Sequence, residues 1–206
     1  MSKVKILIDN GHGEETPGKR SPDGKFREYI WTREIAAIIK SELIKRGYDA
    51  ELLVPETKDI SLVERVRRAN AACNKYGAKN VILVSVHCNA AGMGDKWMNA
   101  RGWSAWTTRG VTLSDNLANC LYKAAFDIFG KERVPVRADY SDGDPDWESN
   151  FYILRNAKCC AVLTENFFQD NKEDVKYLES QAGKDARVRV HVFGIIDYIN
   201  KYLPGK

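Results

Sequence analysis

Two histidines in this sequence each follow a short apolar run, at the point where a buried strand would end. His12 follows residues 5–10 and stands between two glycines, and His87 follows residues 81–86. A third apolar run leads directly into Glu165. Because the carboxyl ends of parallel strands lie at one edge of a sheet, we expect these three side chains to lie close together. Two imidazoles and a carboxylate at one edge of the sheet indicate a binding or catalytic site rather than side chains that pack in the core.

A further carboxylate, Glu28, falls in the first turn of a predicted helix whose apolar residues recur at helical spacing: Trp31, Ile35, Ile38, Ile39 and Leu43. Its position places it on the apolar face of that helix rather than on the solvent face. A glutamate in a first turn can simply complement the helix dipole, but an inward-facing carboxylate needs a partner, and a cation would serve.

The types of these residues suit a zinc ion. His12, Glu28 and His87 would supply two nitrogens and one carboxylate, leaving a fourth position open for water, as in catalytic rather than structural zinc sites. A single Zn²⁺ per chain would lower the pKa of that water and polarise a scissile carbonyl, while Glu165 takes and returns the proton. Cys88 beside His87 is not predicted to be a nucleophile, because neighbours on a strand point to opposite faces.

Apolar strands alternate with amphipathic helices along the chain. Further strands are predicted at 49–54 and 103–108, and helices after Ser61, over 113–128 and over 171–203. This alternation predicts an α/β fold of three layers, with a mainly parallel, mixed sheet of about six strands and helices on both faces. We expect residues 1–206 to form a single catalytic domain, since this length supports one sizeable core.

Three polar features are expected to be structural or solvent-facing. On the helix after Ser61, the arginines at 65, 67 and 68 fall outside the apolar stripe and are expected to face water. The acidic stretch 139–148 alternates aspartates, but its Gly and Glu are misplaced for a calcium loop, so a solvated loop is expected. His191 borders the apolar stripe of the last helix and is expected to be structural.

Composition narrows the class of protein. The 206 residues are 44% hydrophobic and 29% charged, and the net charge of +4 is spread along the chain, so no nucleic-acid partner is expected. No run is long enough to span a membrane and no signal peptide is visible, so synthesis in the cytoplasm is expected. The five cysteines show no C-x-x-C spacing and predict neither a disulfide framework nor a cysteine-rich zinc site.

The chain resembles the zinc-dependent N-acetylmuramoyl-L-alanine amidases of the type 3 family. The matching segments occur in the family's order over nearly the whole chain: Asp9-x-Gly11-His12-Gly13, Glu28 at a helix start, Arg65 and Asn70, Ser85-x-His87-x-Asn89-Ala90, Gly102, Leu154-Arg155, and Leu163-x-Glu165-x-x-Phe168-x-x-Asn171. The resemblance implies hydrolysis of peptidoglycan between the lactyl group of muramic acid and the first L-alanine of the stem peptide. It also implies that His12, Glu28 and His87 bind the metal and that Glu165 is catalytic.

The resemblance has limits, and rival functions remain open. Asn10, Cys160 and Phe167 stand where the family usually has Pro, Pro and Gly, which bears on the shape of the substrate cleft. Lacking a visible signal peptide or wall-binding domain, the chain fits a phage-type lysin or a shortened exported enzyme that acts at the cell wall, and we expect a monomer.

The first rival is a zinc carboxypeptidase. In that reading His12 and Glu15 form an H-x-x-E pair, Glu15 replaces Glu28 as a ligand, and an arginine binds the terminal carboxylate of the substrate. Arg101, Arg109 and Arg155 are available for this, without a distinguishing motif. The second rival is a non-catalytic peptidoglycan-binding module with a structural metal. Glu165 and the open ligand set argue against it.

Overall fold

The computed structural model describes residues 4–203, which fold around a six-stranded sheet. The strands are β1 (Lys5–Asn10), β2 (Asp49–Leu52), β3 (Val81–Asn89), β4 (Trp103–Thr107), β5 (Trp147–Glu148) and β6 (Cys160–Phe168). Their order across the sheet is β2-β1-β3-β6-β4-β5. Neighbouring strands are parallel except for β4, which is antiparallel to β6. The predicted mixed, mainly parallel sheet is confirmed.

Helices cover both faces of this sheet. They are α1 (Glu28–Lys45), α2 (Leu62–Tyr76), α3 (Leu113–Phe129), α4 (Tyr152–Asn156), α5 (Lys172–Glu179) and α6 (Gln181–Tyr202), with a short 3₁₀ turn at Ala78–Asn80. Successive strand residues alternate between two cores. Ile6 and Ile8 pack with α1, α3 and α6, whereas Leu7 packs with α2 and α4. The three-layer α/β prediction is therefore confirmed. Among residues 4–203, no helix is both long and apolar enough to cross a bilayer.

The register of the central strands determines which residues meet at the carboxyl edge. β1 pairs in parallel with β3, and Asn10 lies opposite Val86. β3 pairs in parallel with β6, and His87 lies opposite Glu165. His87, which follows Val86, therefore lies next to the loop after Asn10 that contains His12, as the position of both histidines after apolar strands predicted.

Two sequence expectations were wrong in detail. The acidic stretch contains the short strand β5, and Asp146 just before it is 2% exposed and accepts a hydrogen bond from Thr107 Oγ1 at 2.6 Å, so this end of the stretch is not solvated. The predicted last helix is two helices, because the chain turns at Ser180. The Ser180 hydroxyl accepts the N–H of Gly183 and caps α6.

His191 is structural, as expected. It is fully buried in α6, with Nδ1 2.7 Å from the carbonyl of Arg187 and Nε2 2.9 Å from Oγ1 of Thr164 on β6. A carbonyl can only accept, so Nδ1 carries the proton and Nε2 accepts from the threonine hydroxyl. The imidazole thus joins α6 to the sheet in its neutral form.

Candidate metal centre

Three side chains converge at the carboxyl edge of the sheet. His12 lies in the loop after β1, Glu28 is the first residue of α1, and His87 is near the end of β3. His12 Nε2 is 3.2 Å from His87 Nδ1, and these two nitrogens are 3.4 and 3.3 Å from Oε1 of Glu28. Within the described residues, this is the group of three or more His, Cys, Asp or Glu side chains that could hold a metal ion.

The spacing of these atoms fits a tetrahedral ion. Nitrogen and oxygen ligands about 2.0–2.1 Å from a tetrahedral zinc lie about 3.3 Å from one another, and the three observed separations are 3.2–3.4 Å. Glu28 is fully buried, and its Oε2 has no hydrogen-bond partner among residues 4–203. A buried carboxylate oxygen without a donor indicates that a cation is expected there.

The protonation states of His12 and Glu28 also suit a metal. Burial lowers the pKa of His12 to about 4, although Glu28 opposes the shift, so this imidazole is neutral near pH 7. Burial acts against the charged form of Glu28, but hydrogen bonds from His87 and from the Cys88 N–H, together with the charges of the two imidazoles, outweigh it and lower the pKa of Glu28. At His87 burial acts against the charged imidazole, but the hydrogen bond to Glu28 and the charges of the nearby carboxylates together outweigh it and raise the pKa. An ionised carboxylate and a neutral imidazole are the forms that bind a metal ion.

Glycine at position 11 makes room for the second histidine. A Cβ on Gly11 would lie 2.4 Å from Nδ1 and Cε1 of His87. Thr32 on α1 donates a hydrogen bond to the Gly11 carbonyl at 3.0 Å, which ties the loop to the helix that carries Glu28. A Cβ on Gly13 would lie 2.2 Å from the backbone of Asp59. The glycines that flank His12 are therefore required by close approach.

His12 itself adopts an uncommon backbone conformation. Its φ is +61°, in the left-handed region, which residues other than glycine rarely occupy. Arg33 and Arg65 each donate a hydrogen bond to its carbonyl at 3.0 Å. Two guanidinium groups on different helices therefore hold the His12 backbone in place.

The expectation that Arg65 faces solvent was wrong. Arg65 is only 2% exposed, and its guanidinium donates hydrogen bonds to Asp9 Oδ1 at 2.6 Å and to the Asn10 carbonyl at 2.7 Å. Asp9 is 1% exposed and also accepts a hydrogen bond from Ser85. Helical spacing alone could not predict this role, because the partner that makes burial of Arg65 favourable lies on a different element. The sequence did contain one indication of the pair, which is an aspartate at the end of an otherwise apolar strand.

Glu165 lies beside the three converging side chains but outside their group. It belongs to β6, and its Oε2 is enclosed and has no hydrogen-bond partner within the part of the chain that the structure describes. Burial raises the pKa of Glu165 to about 7, and the nearby Glu28 adds to the shift while His87 opposes it. A carboxylate with a pKa near 7 can both accept and donate a proton at neutral pH.

A cavity of about 380 Å³ opens in front of these residues. His12, His87 and Glu165 form its floor, and apolar or aromatic side chains form its wall: Ile60, Leu62, Phe151, Tyr152, Ile153 and Leu163. Lys19 also lines it. Such a mixture of an apolar wall and a few converging polar groups is typical of a substrate site.

The structure also shows where the residues of two alternative interpretations lie, the carboxypeptidase ligand and the cysteine nucleophile. Glu15 does not join the histidines: its Oε2 accepts a hydrogen bond from the backbone N–H of Asp59 at 2.8 Å. Cys88 is buried in the core on the α1 side, its backbone N–H donates to Glu28 at 2.9 Å, and burial raises the pKa of its thiol. A protonated thiol in the core is not a nucleophile.

This fold and this site define a three-layer α/β protein with a candidate metal centre at the carboxyl edge of its sheet. The family model of the N-acetylmuramoyl-L-alanine amidases matches residues 6–197, and the chain belongs to this family. It is therefore an N-acetylmuramoyl-L-alanine amidase, a peptidoglycan hydrolase that acts on the cell wall. The predicted family and enzymatic class are confirmed.

Individual relatives agree with this assignment. The chain is 31% identical over 197 residues to the N-acetylmuramoyl-L-alanine amidase CwlM of Bacillus licheniformis, covering 96% of this chain and 69% of the relative. It is 30% identical over 204 residues to the endolysin of Bacillus phage SPP1, covering 97% and 67%. The crystal structure of an N-acetylmuramoyl-L-alanine amidase from Clostridium difficile 630 superposes with a TM-score of 0.79 at 25% identity, covering 98% of this chain and 100% of that one.

Proposed function

We propose that this amidase hydrolyses the bond between the lactyl group of N-acetylmuramic acid and L-alanine with one zinc ion, held by His12, Glu28 and His87, and with Glu165 as the catalytic acid and base. The observation that carries the proposal is the convergence of two imidazole nitrogens and one carboxylate oxygen at 3.2–3.4 Å. Zinc prefers this mixture of ligands when it leaves a position open for water.

The chain's own residues have distinct parts in the reaction. When bound, the zinc ion would supply a Lewis acid toward water and the amide carbonyl. Glu165, with its pKa raised to about 7, takes the proton of the attacking water and gives it to the departing amine of L-alanine. The buried Asp9–Arg65 pair holds the loop that carries His12. The apolar side chains beside Ile60 and Tyr152 provide a surface on which the substrate can pack next to the bond that is cut.

Glu165→Gln tests the proposed role of the glutamate. Gln is nearly isosteric and cannot exchange the proton, so turnover should fall by about 10²–10⁴, while zinc content and thermal midpoint stay near wild type. Glu173→Gln is the matched control, because Glu173 is an exposed carboxylate in the first turn of α5. If Glu165→Gln lost its zinc, Glu165 would be a ligand and the assignment of Glu28 would have to be withdrawn.

The products identify the bond. Purified cell walls should release free amino termini without new reducing ends. New reducing ends would indicate a glycosidase, and release of single C-terminal amino acids would indicate a carboxypeptidase.

Elemental analysis of protein purified without added metal should find close to one zinc per chain. Full activity after exhaustive chelation would overturn the metal-dependent mechanism.

We also propose that residues 1–206 act as one catalytic domain and as a monomer, and that the enzyme meets its substrate outside the cytoplasm. One continuous sheet, with a core on each face, supports a single unit. Light scattering after gel filtration should give the mass of one chain. Added protein should lyse isolated walls directly, whereas activity that required a second polypeptide would refute the proposal.

A further inference from the structure

Two cysteines far from the candidate metal centre lie against each other on the face of the sheet that α2 covers. Cys73 is in the last turn of α2 and is 4% exposed. Cys159 immediately precedes β6, is partly buried, and packs against the same apolar cluster as Cys73. Each thiol lies close enough to shift the pKa of the other, lowering that of Cys73 and raising that of Cys159.

The backbone around these cysteines is held in place by a neighbouring side chain. Asn70 on α2 donates a hydrogen bond to the carbonyl of Asn156 at 3.0 Å and accepts one from the N–H of Lys158 at 2.9 Å. Asn70 and Cys73 are three positions apart, so they share one face of the helix. The segment that Asn70 binds leads directly into Cys159. The position of Cys159 beside α2 is therefore imposed by the fold.

The other cysteines are not placed to compete. Cys88 and Cys120 belong to the core on the opposite face of the sheet. Cys160 follows Cys159, but its side chain points the other way, with its Sγ 3.6 Å from the carbonyl of Leu113. A disulfide between Cys159 and Cys160 would have to reverse that orientation.

We propose that Cys73 and Cys159 form a disulfide bond when the enzyme leaves the reducing cytoplasm. The oxidant is a small-molecule disulfide. A thiolate of the pair attacks one of its sulfurs and releases one thiol, and the second cysteine, having lost its proton to water, displaces the other. The protein loses two electrons and two protons, and the oxidant becomes two thiols. The proposal rests on the proposed site of action outside the cytoplasm and is independent of zinc and Glu165.

The surroundings of the pair allow this exchange. Cys159 lines a solvent-open cavity of about 860 Å³ on the amino edge of the sheet, so a small oxidant can reach it. The neighbouring Cys159 thiol lowers the pKa of Cys73 to about 7, so near neutral pH the buried Cys73 thiolate can take the proton of Cys159 as Cys159 attacks the oxidant.

The bond would join two elements that build the site. α2 carries Arg65, which holds the His12 loop, and β6 carries Glu165. Crosslinking residues 73 and 159 closes a long loop and restricts the unfolded chain, so a rise in thermal midpoint on the order of 5–10 °C is expected. An enzyme working outside the cell would gain resistance to unfolding there.

The test compares one protein in two redox states. Protein is purified in a reducing agent, which is then removed before oxidised glutathione is added. The excess glutathione is removed in turn, and the remaining thiols are titrated after the protein is unfolded. All five cysteines are free thiols at the start, and two fewer should react after treatment. Peptide mass spectrometry should find Cys73 linked to Cys159, and the thermal midpoint should rise. Cys120→Ala should behave the same way, and Cys159→Ala should show neither change.

Three outcomes would overturn the proposal: no loss of thiols, glutathione adducts without an internal link, or a link that involves Cys160. A link between the two cysteines with no rise in the midpoint would overturn the stabilising role. The inactive Glu165→Gln variant should form the same bond. Failure of the disulfide and failure of the catalytic assignment are therefore separate results.

Discussion

Arg65→Met should destabilise this amidase far more than a surface arginine substitution does. The Arg65 side chain is 3% exposed and bonds to the carbonyls of Ile60, Asn10 and His12 and to the carboxylate of Asp9. Methionine keeps most of the apolar stem but provides no donor. The variant would leave the Asp9 carboxylate buried, with the Ser85 hydroxyl as its remaining donor.

The size of the effect follows from this burial. Removing one partner of a buried ion pair costs about 3–5 kcal/mol, because the remaining charge stays desolvated. For a chain of this length, each kcal/mol lowers the thermal midpoint by about 2–4 °C, so a fall of roughly 6–20 °C is expected. Zinc affinity should fall as well, because the His12 carbonyl loses one of its two guanidinium donors.

Urea unfolding followed by circular dichroism measures the loss, and elemental analysis measures the zinc. Arg67→Met is the matched control on the same helix, because Arg67 is exposed and pairs only with Glu64 three positions earlier. It should leave the unfolding midpoint nearly unchanged. Asp9→Asn combined with Arg65→Met should recover part of the stability, since no buried charge is left unpaired. Equal behaviour of the two arginine variants, or no recovery in the double variant, would refute the argument.

Three further predictions use other parts of the structure. Burial lowers the pKa of His191 to about 4, so the unfolded chain takes up a proton first as the pH falls below about 6.5, and this residue should account for a drop in stability of about 2 kcal/mol between pH 7 and 5. His191→Gln should make the pH dependence in urea titrations shallower by that amount, while the contribution of the buried His12 stays. Gly11→Ala would push a Cβ to 2.4 Å from the His87 ring, so it should lower zinc content and wall hydrolysis together; wild-type zinc content in this variant would contradict the geometry. Glu28→Gln should weaken zinc binding by more than about 100-fold, measured by competition with a chelator, whereas Glu15→Gln should not, and the reverse result would favour the carboxypeptidase ligand set.

Much of the fold and of the candidate site could be predicted because both are encoded by short patterns. The apolar runs before His12, His87 and Glu165 predict buried strands, and parallel strands bring their carboxyl ends to one edge. Glu28 could be assigned to the inner face of its helix from spacing alone. These inferences use residues a few positions apart, so they do not depend on knowing the rest of the fold.

What the sequence could not decide depends on partners that are distant in the chain. Arg65 has the spacing of a surface residue, and only the position of Asp9 on the neighbouring strand makes its burial favourable. The two-residue strand β5 exists because β4 offers it an edge, since so short a strand is not stable alone. The contact of Cys73 with Cys159 follows from the packing of α2 against the segment before β6. Burial and pairing energies depend on the surroundings that the whole chain creates, and that is why tertiary structure alone determined these features.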